Sequence, residues 1–158
     1  MNNAQVCYTA PKTVEWGTPQ DFFDTLNAEF GFTLDVASND DNAKVNRHFS
    51  LADDGLSQDW SGEVCWMNPP YGREIGAWMQ KAYESSLAGA TVVCLVPART
   101  DTRWWWDYAI HGEVRFVKGR LKFTSEGKTL NAAPFPVAVV VFGRPAGVLW
   151  SDLNGATA

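Results

Sequence analysis

The chain has 158 residues, 46% hydrophobic and 20% charged, which suits one globular domain with a real core and excludes a disordered or fibrous chain. Its net charge of −5 argues at first against nucleic acid, but residues 1–98 carry 5 Lys/Arg against 13 Asp/Glu while residues 99–144 carry 8 against 4; binding follows local potential, so the basic second half keeps that partner open. No apolar run approaches the ~20 residues of a membrane span, the N-terminus lacks a basic region followed by an apolar stretch, and His48 and His111 stand alone without zinc-type Cys/His spacing, so neither a membrane nor a metal is expected.

Residues 1–13 and 151–158 read as loose ends of a single domain spanning 14–150. Thr18-Pro19-Gln20-Asp21 predicts a helix start, with Thr18 as cap, Pro19 at the first helical position and an acid three residues on. Phe22, Phe23, Leu26 and Phe30 then fall on one face, and Gly31 closes the helix. "FTLDV" at 32–36 predicts a short strand, "KVNRHF" at 44–49 a weaker one, and "EVCWM" at 63–67 another. Ile75, Trp78, Met79, Ala82 and Leu87 mark a second helix ended by Gly89. "TVVCLV" at 91–96 is continuously apolar, the pattern of a strand buried on both faces. A short helix is expected around Thr102–Ile110, then three strands, "EVRFV", "RLKF" and "PVAVVVF". Cys65 and Cys94 fall inside apolar runs, where reduced, buried thiols and a reducing cytoplasm are expected.

Strands alternating with helices, followed by strands alone, predict an α/β fold: a mostly parallel sheet with antiparallel strands at its C-terminal end. In such sheets ligands bind beyond the carboxyl ends of the strands. Asp35, Asn68 and the 97–100 segment all fall at such ends.

The stretch "NPPY" at 68–71 carries the chemistry. Asn68 offers a side-chain carbonyl, and Pro69 a backbone carbonyl with no N–H. Two acceptors in a stiff turn suit the two hydrogens of an exocyclic amine, whose lone pair is otherwise delocalised into its ring. Holding those hydrogens out of plane aims the lone pair at an electrophile, and the interaction strengthens as positive charge develops on nitrogen. Pro70 stiffens the turn. Tyr71 supplies a flat face for an extruded base, worth about 1–3 kcal/mol; on that reading its hydroxyl has no part, and Tyr71→Phe is expected to be mild. Of Trp104, Trp105 and Trp106, adjacent on a helix, at least one is expected in the core. Arg120 and Lys122 flank Leu121 with strand alternation, as a basic face for phosphates would.

The stretches "WGTPQDFF", "LDVAS", "DDGLSQDW", "MNPPYG", "LVPARTDTRWW", "GRLKF" and "APFPVAVVVF", in this order over about residues 14–143, resemble the small phage-type DNA N6-adenine methyltransferases. The resemblance implies a compact Rossmann-like fold and S-adenosylmethionine as cofactor. It implies that Asn68, Pro69, Pro70 and Tyr71 hold the adenine N6, and that Trp16, Thr18 and Pro19 flank the methionine part of the cofactor. Asp35 would accept from its ammonium group, with Ala37 nearby, and Asp53 or Asp54, with Gly55 and Leu56, would lie near its adenosine. Arg99, Thr100, Arg103 and Trp104 are similar to residues at the pocket mouth, and Arg120, Lys122 and Phe123 belong to a substrate-side element. This chain departs from the wider class in having no G-x-G; "ASNDDNA" follows the first strand instead.

The function implied is methyl transfer to N6 of an adenine flipped out of double-stranded DNA, as in phage or restriction-modification enzymes of the cytoplasm. The same turn serves methyltransferases acting on RNA or on protein glutamine. A reading from another class is a non-catalytic nucleic-acid-binding or anti-restriction module, against which the intact Asn68 turn and Asp35 argue.

Overall fold

A computed structural model describes residues 16–143; the segments read as loose, 1–13 and 151–158, lie outside the described residues, as does Cys7. Helix α1 (Gln20–Phe30) buries Phe23, Leu26 and Phe30 and ends on Gly31 at φ 65°, a left-handed conformation that glycine adopts without a Cβ penalty. Its start differs from the expectation. Pro19 is the cap, no side chain caps the helix, and the Thr18 hydroxyl turns to Asn68 instead.

Five strands form the main sheet: β1 (Leu34–Asp35), β2 (Val64–Met67), β3 (Thr91–Pro97), β4 (Glu113–Phe116) and a last strand, Val137–Phe142. Between β4 and that last strand lies a hairpin, β5 (Thr124–Ser125) and β6 (Lys128–Thr129), which makes the last strand β7. The sheet order is β1-β2-β3-β7-β4. β1, β2 and β3 pair in parallel, whereas β7 enters antiparallel between β3 and β4. The fold is α/β with a mixed sheet, two pairings of each kind, and not the mostly parallel sheet that the alternation suggested. Composition accounts for the order. β7 is apolar throughout and buried along its length, so it takes an interior position, while β4, short and carrying Glu113 and Arg115, takes the edge.

Two further strand expectations are not met. "KVNRHF" makes only a bridge, at His48 beside Asp35. "RLKF" alternates in burial, with Phe123 inside and Arg120 and Lys122 exposed. It meets the returning chain only through Leu130 N–H to the Phe123 carbonyl and Ala133 N–H to the Leu121 carbonyl, and the hairpin proper begins at Thr124.

Helix α2 (Ile75–Leu87) buries Ile75, Trp78, Met79 and Ala82. Leu87 does not share that face and is exposed, since twelve residues of helix leave it about a third of a turn out of phase with Ile75. Helix α3 (Arg103–Asp107) and a 3-10 turn at Ala109–His111 replace the single short helix expected there. Alternate side chains of β2 and β3 point to opposite faces. Cys65, Met67, Val92, Cys94 and Val96 pack with α2 and Trp105, and Trp66, Val93 and Leu95 pack with Phe23, Leu26, Phe30 and Phe123. Both faces are covered, and the parallel strands β1 to β3 bring their carboxyl ends to one edge.

Candidate active site

Asn68 leaves β2 at that edge, directly after the fully buried Met67. Its amide nitrogen donates to the Trp16 carbonyl at 2.5 Å and to the Thr18 hydroxyl at 3.1 Å, which uses both N–H hydrogens. Its amide oxygen accepts from the Tyr71 hydroxyl at 2.8 Å, and the same hydroxyl lies 3.1 Å from the Leu95 carbonyl. An amide oxygen has two acceptor sites, so one stays unspent on Asn68. Pro69 is buried and Pro70 exposed. Burial pushes the Tyr71 phenol well above the usual range, so at neutral pH it stays a protonated donor.

The Tyr71 ring belongs to an aromatic group. It lies near-parallel to Trp16, centroids 6.5 Å apart at 25°, and edge-on to Phe123 and Phe135 at 6.1 and 5.8 Å. Such pairs each contribute about 0.5–1.5 kcal/mol beyond the area they bury. Phe123 is fully buried; it supports the ring and does not reach the open space beside it.

That space is a cleft of about 800 Å3, inside the size range of small-molecule sites. Among the residues singled out from sequence, Trp16, Tyr71, Arg99, Arg103 and Trp104 line it. The Arg99 guanidinium sits over the Phe135 ring at 5.8 Å. Thr100 does not line it; its carbonyl accepts from the Trp106 indole at 2.8 Å. The tryptophan run splits as helix geometry requires: Trp104 to the cleft, Trp105 to the core, Trp106 to solvent. Sequence reasoning missed Arg73, Gly76 and Gln80, which also line the cleft. Their spacing of i, i+3, i+7 beside the apolar stripe of α2 is the signal that points to them.

At the carboxyl end of β1, one strand away from Asn68, Asp35 is 2% exposed. One carboxylate oxygen accepts from the Ala37 N–H at 3.2 Å and the other from the Lys44 N–H at 2.9 Å. Burial raises its pKa, and these two N–H groups offset part of the rise. Asp35 thus closes the 37–44 loop, which stands where the sequence lacks glycines. Ser38 lies close enough to Asp35 to favour its charged form, yet the buried Ser38 hydroxyl makes no hydrogen bond of normal geometry. Gly55 abuts this end: a Cβ there would lie 2.3 Å from the Val36 carbonyl oxygen, so glycine is required for Asp53–Leu56 to approach. The Asp53 carboxylate accepts from the Ser50 N–H and hydroxyl, which lowers its pKa. Asp54 holds a left-handed φ of 53°, and Leu56 packs on the core.

Of the Asn68–Tyr71 turn only Tyr71 lines the cleft; Asn68, Pro69 and Pro70 do not, nor do Asp35, Ala37, the 53–56 segment, Thr18 or Pro19. The structure therefore yields two adjoining regions, an aromatic cleft with arginines on one side of the Asn68 turn and a polar loop region at the end of β1. Arg120 and Lys122 are exposed outside both. Among the described residues, no group of three or more His, Cys, Asp or Glu is placed to hold a metal ion, and no helix is long and apolar enough to cross a membrane.

The chain is similar to the "DNA N-6-adenine-methyltransferase" of Haemophilus phage HP1 (strain HP1c1), 33% identical over 92 residues that make up 57% of this chain and 53% of the relative. The match thus spans about half the length of that protein. It is also similar to a protein of Escherichia coli (strain K12) named "Putative methyltransferase YfdM", 36% identical over 64 residues, 36% of this chain and 70% of the relative. The family model described as DNA N-6-adenine-methyltransferase (Dam) matches residues 8–148, nearly the whole chain, and on that match the chain belongs to the DNA N-6-adenine-methyltransferase family.

Proposed function

We propose that the protein transfers a methyl group from S-adenosylmethionine to N6 of an adenine turned out of duplex DNA. The observation that carries this reading is the Asn68 amide: its nitrogen is fully engaged, its oxygen keeps one free acceptor site, and Tyr71, whose hydroxyl donates to that oxygen, lines a cleft large enough for a base. A flipped adenine would stand against Tyr71 in the cleft, its amine hydrogens shared between the Asn68 oxygen and the Pro69 carbonyl. Those acceptors draw the nitrogen toward a pyramidal geometry and bind it better as it gains positive charge. The amine exchanges one N–H for N–CH3. Neither Asn68 nor the neutral Tyr71 phenol is basic enough to keep the proton, which passes to water.

S-adenosylmethionine supplies, when bound, a methyl group carried on a positively charged sulfur. The residues at the end of β1 fit such a group. The Ser38 hydroxyl is a buried polar atom in need of a partner, and each Asp35 oxygen has spent only part of its acceptor capacity on Ala37 and Lys44, leaving sites for an ammonium donor. Trp16 and Pro19 would flank the methionine end, and Gly55 and Leu56 the adenosine. Three parallel strands presenting these groups at one edge support a Rossmann-like methyltransferase fold, and we take residues 14–150 as one domain working on DNA in the cytoplasm. Arg99 and Arg103 at the cleft, with Arg120 and Lys122 on the exposed segment, would meet phosphates.

Methyl transfer from labelled S-adenosylmethionine to duplex DNA, RNA and whole protein, run side by side, tests this reading. Label in duplex DNA as N6-methyladenine is the expected result; label in RNA or in glutamine instead would reassign the substrate, and none in any acceptor would refute the activity.

A further inference from the structure

Thr18 precedes Pro19 and α1, where a threonine ordinarily caps the helix. Here α1 has no side-chain cap, an omission that costs about 1 kcal/mol. The hydroxyl is spent instead on the Asn68 amide, 50 residues away in sequence. The segment bearing it is fixed: Gly17 and Thr124 exchange two backbone hydrogen bonds of 2.8 Å, and a Cβ on Gly17 would meet the Thr124 hydroxyl oxygen at 2.5 Å.

An amide side chain has two orientations related by a half-turn, and only one leaves its oxygen toward the target amine. The Trp16 carbonyl only accepts, so it selects the Asn68 nitrogen. The Thr18 hydroxyl takes the second N–H, and the Tyr71 hydroxyl donates to the oxygen on the other side. Turned over, the amide would set its oxygen against the Trp16 carbonyl. Thr18 itself is 2% exposed and its hydroxyl is engaged by the Asn68 amide, so its role runs through Asn68.

We infer that Thr18 is a positioning residue: its hydroxyl holds the Asn68 amide with the oxygen facing the target amine, without touching cofactor or DNA. The inference rests on the methyltransferase reading above. It separates Thr18 from Trp16 and Pro19, since its loss should slow the chemical step and spare the affinities.

Thr18→Val removes the hydroxyl at nearly constant volume, and Thr18→Ser keeps it. For both variants and the wild-type chain, the quantities to measure are turnover and KM on duplex DNA, calorimetric affinity for S-adenosylhomocysteine, thermal unfolding, and exchange of the Asn68 side-chain amide protons by NMR. In Thr18→Val, turnover should fall about tenfold, the worth of one hydrogen bond to a buried polar group. KM and S-adenosylhomocysteine affinity should be unchanged, and one Asn68 amide proton should exchange faster. Thr18→Ser should restore most of the turnover. Wild-type turnover in Thr18→Val, or a Thr18→Ser variant as slow as Thr18→Val, overturns the role. A matching loss of S-adenosylhomocysteine affinity returns Thr18 to the cofactor. A wild-type chain that methylates nothing refutes the functional reading itself, and this role with it.

Discussion

At Tyr71 the structure changes what a single substitution should do. Its ring lines the cleft, but its hydroxyl also donates to the Asn68 oxygen and reaches the Leu95 carbonyl. Tyr71→Phe keeps the ring and leaves both oxygens without that donor. Turnover on duplex DNA should then drop about tenfold rather than stay near wild type, and Tyr71→Ala should lose considerably more, because the contacts with Trp16, Phe123 and Phe135 go too. Steady-state kinetics on the two variants decide it; a fully active Tyr71→Phe would show that the hydroxyl has no part. The acceptor chemistry of Asn68 was legible from residue types alone. The partners that orient it were not, because Trp16 and Leu95 contribute only backbone carbonyls, which every residue has, and Thr18 carried a stronger local signal as a helix cap.

Among the elements, the most legible were those with a strong period. The apolar stripe of α1 and the unbroken β3 are as read. Failures came where local pattern and tertiary pairing compete: Val137–Phe142 shows that it is buried but not that it runs between β3 and β4, and Arg120–Phe123 alternates like a strand without a full ladder to join. The segment before α1 is held by the Gly17–Thr124 bridge, where the close approach demands glycine. Gly17→Ala should destabilise the fold by about 1–3 kcal/mol, read by chemical denaturation, and lower turnover by shifting Trp16 and Thr18. A Gly17→Ala variant as stable and active as wild type would show that the bridge yields freely. The 39–49 loop makes a pH prediction. His48 bonds the Asp40 carboxylate and the Asn46 carbonyl, and these raise its pKa, with Asp35 adding a smaller pull. A raised folded value means stability fully present below the unfolded value of about 6.5 and lost as pH rises through the folded one. In a pair so open to solvent the effect is under about 1 kcal/mol. Thermal unfolding of wild type and His48→Asn from acid to mildly alkaline pH should show a gap at low pH that closes as pH rises; a gap constant with pH would contradict it.

Taken as one molecule, the chain separates an acidic first half from a basic stretch at 99–144, and the fold brings part of that stretch to the cleft through Arg99 and Arg103. Arg120 and Lys122 stay exposed and free to meet a backbone. If each neutralises one phosphate, replacing both with Ala should reduce the slope of log affinity against log salt by about 2, with little sequence dependence; an unchanged slope would remove them from the interface. The asymmetry was readable in the sequence, but the convergence of β1, β2 and β3 at one edge, which sets the Asn68 turn beside both a polar loop and an aromatic cleft, needed the fold.

In the proposed reaction the Asn68 oxygen would be the group that takes hold of the amine. Duplex DNA incubated with S-adenosylmethionine and either the wild-type chain or Asn68→Ala, then digested to nucleosides and assayed for N6-methyladenine, tests it most directly. Wild type should form the modified base, and the folded variant should form it slower by about two to three orders of magnitude. Equal rates from the two would contradict the account.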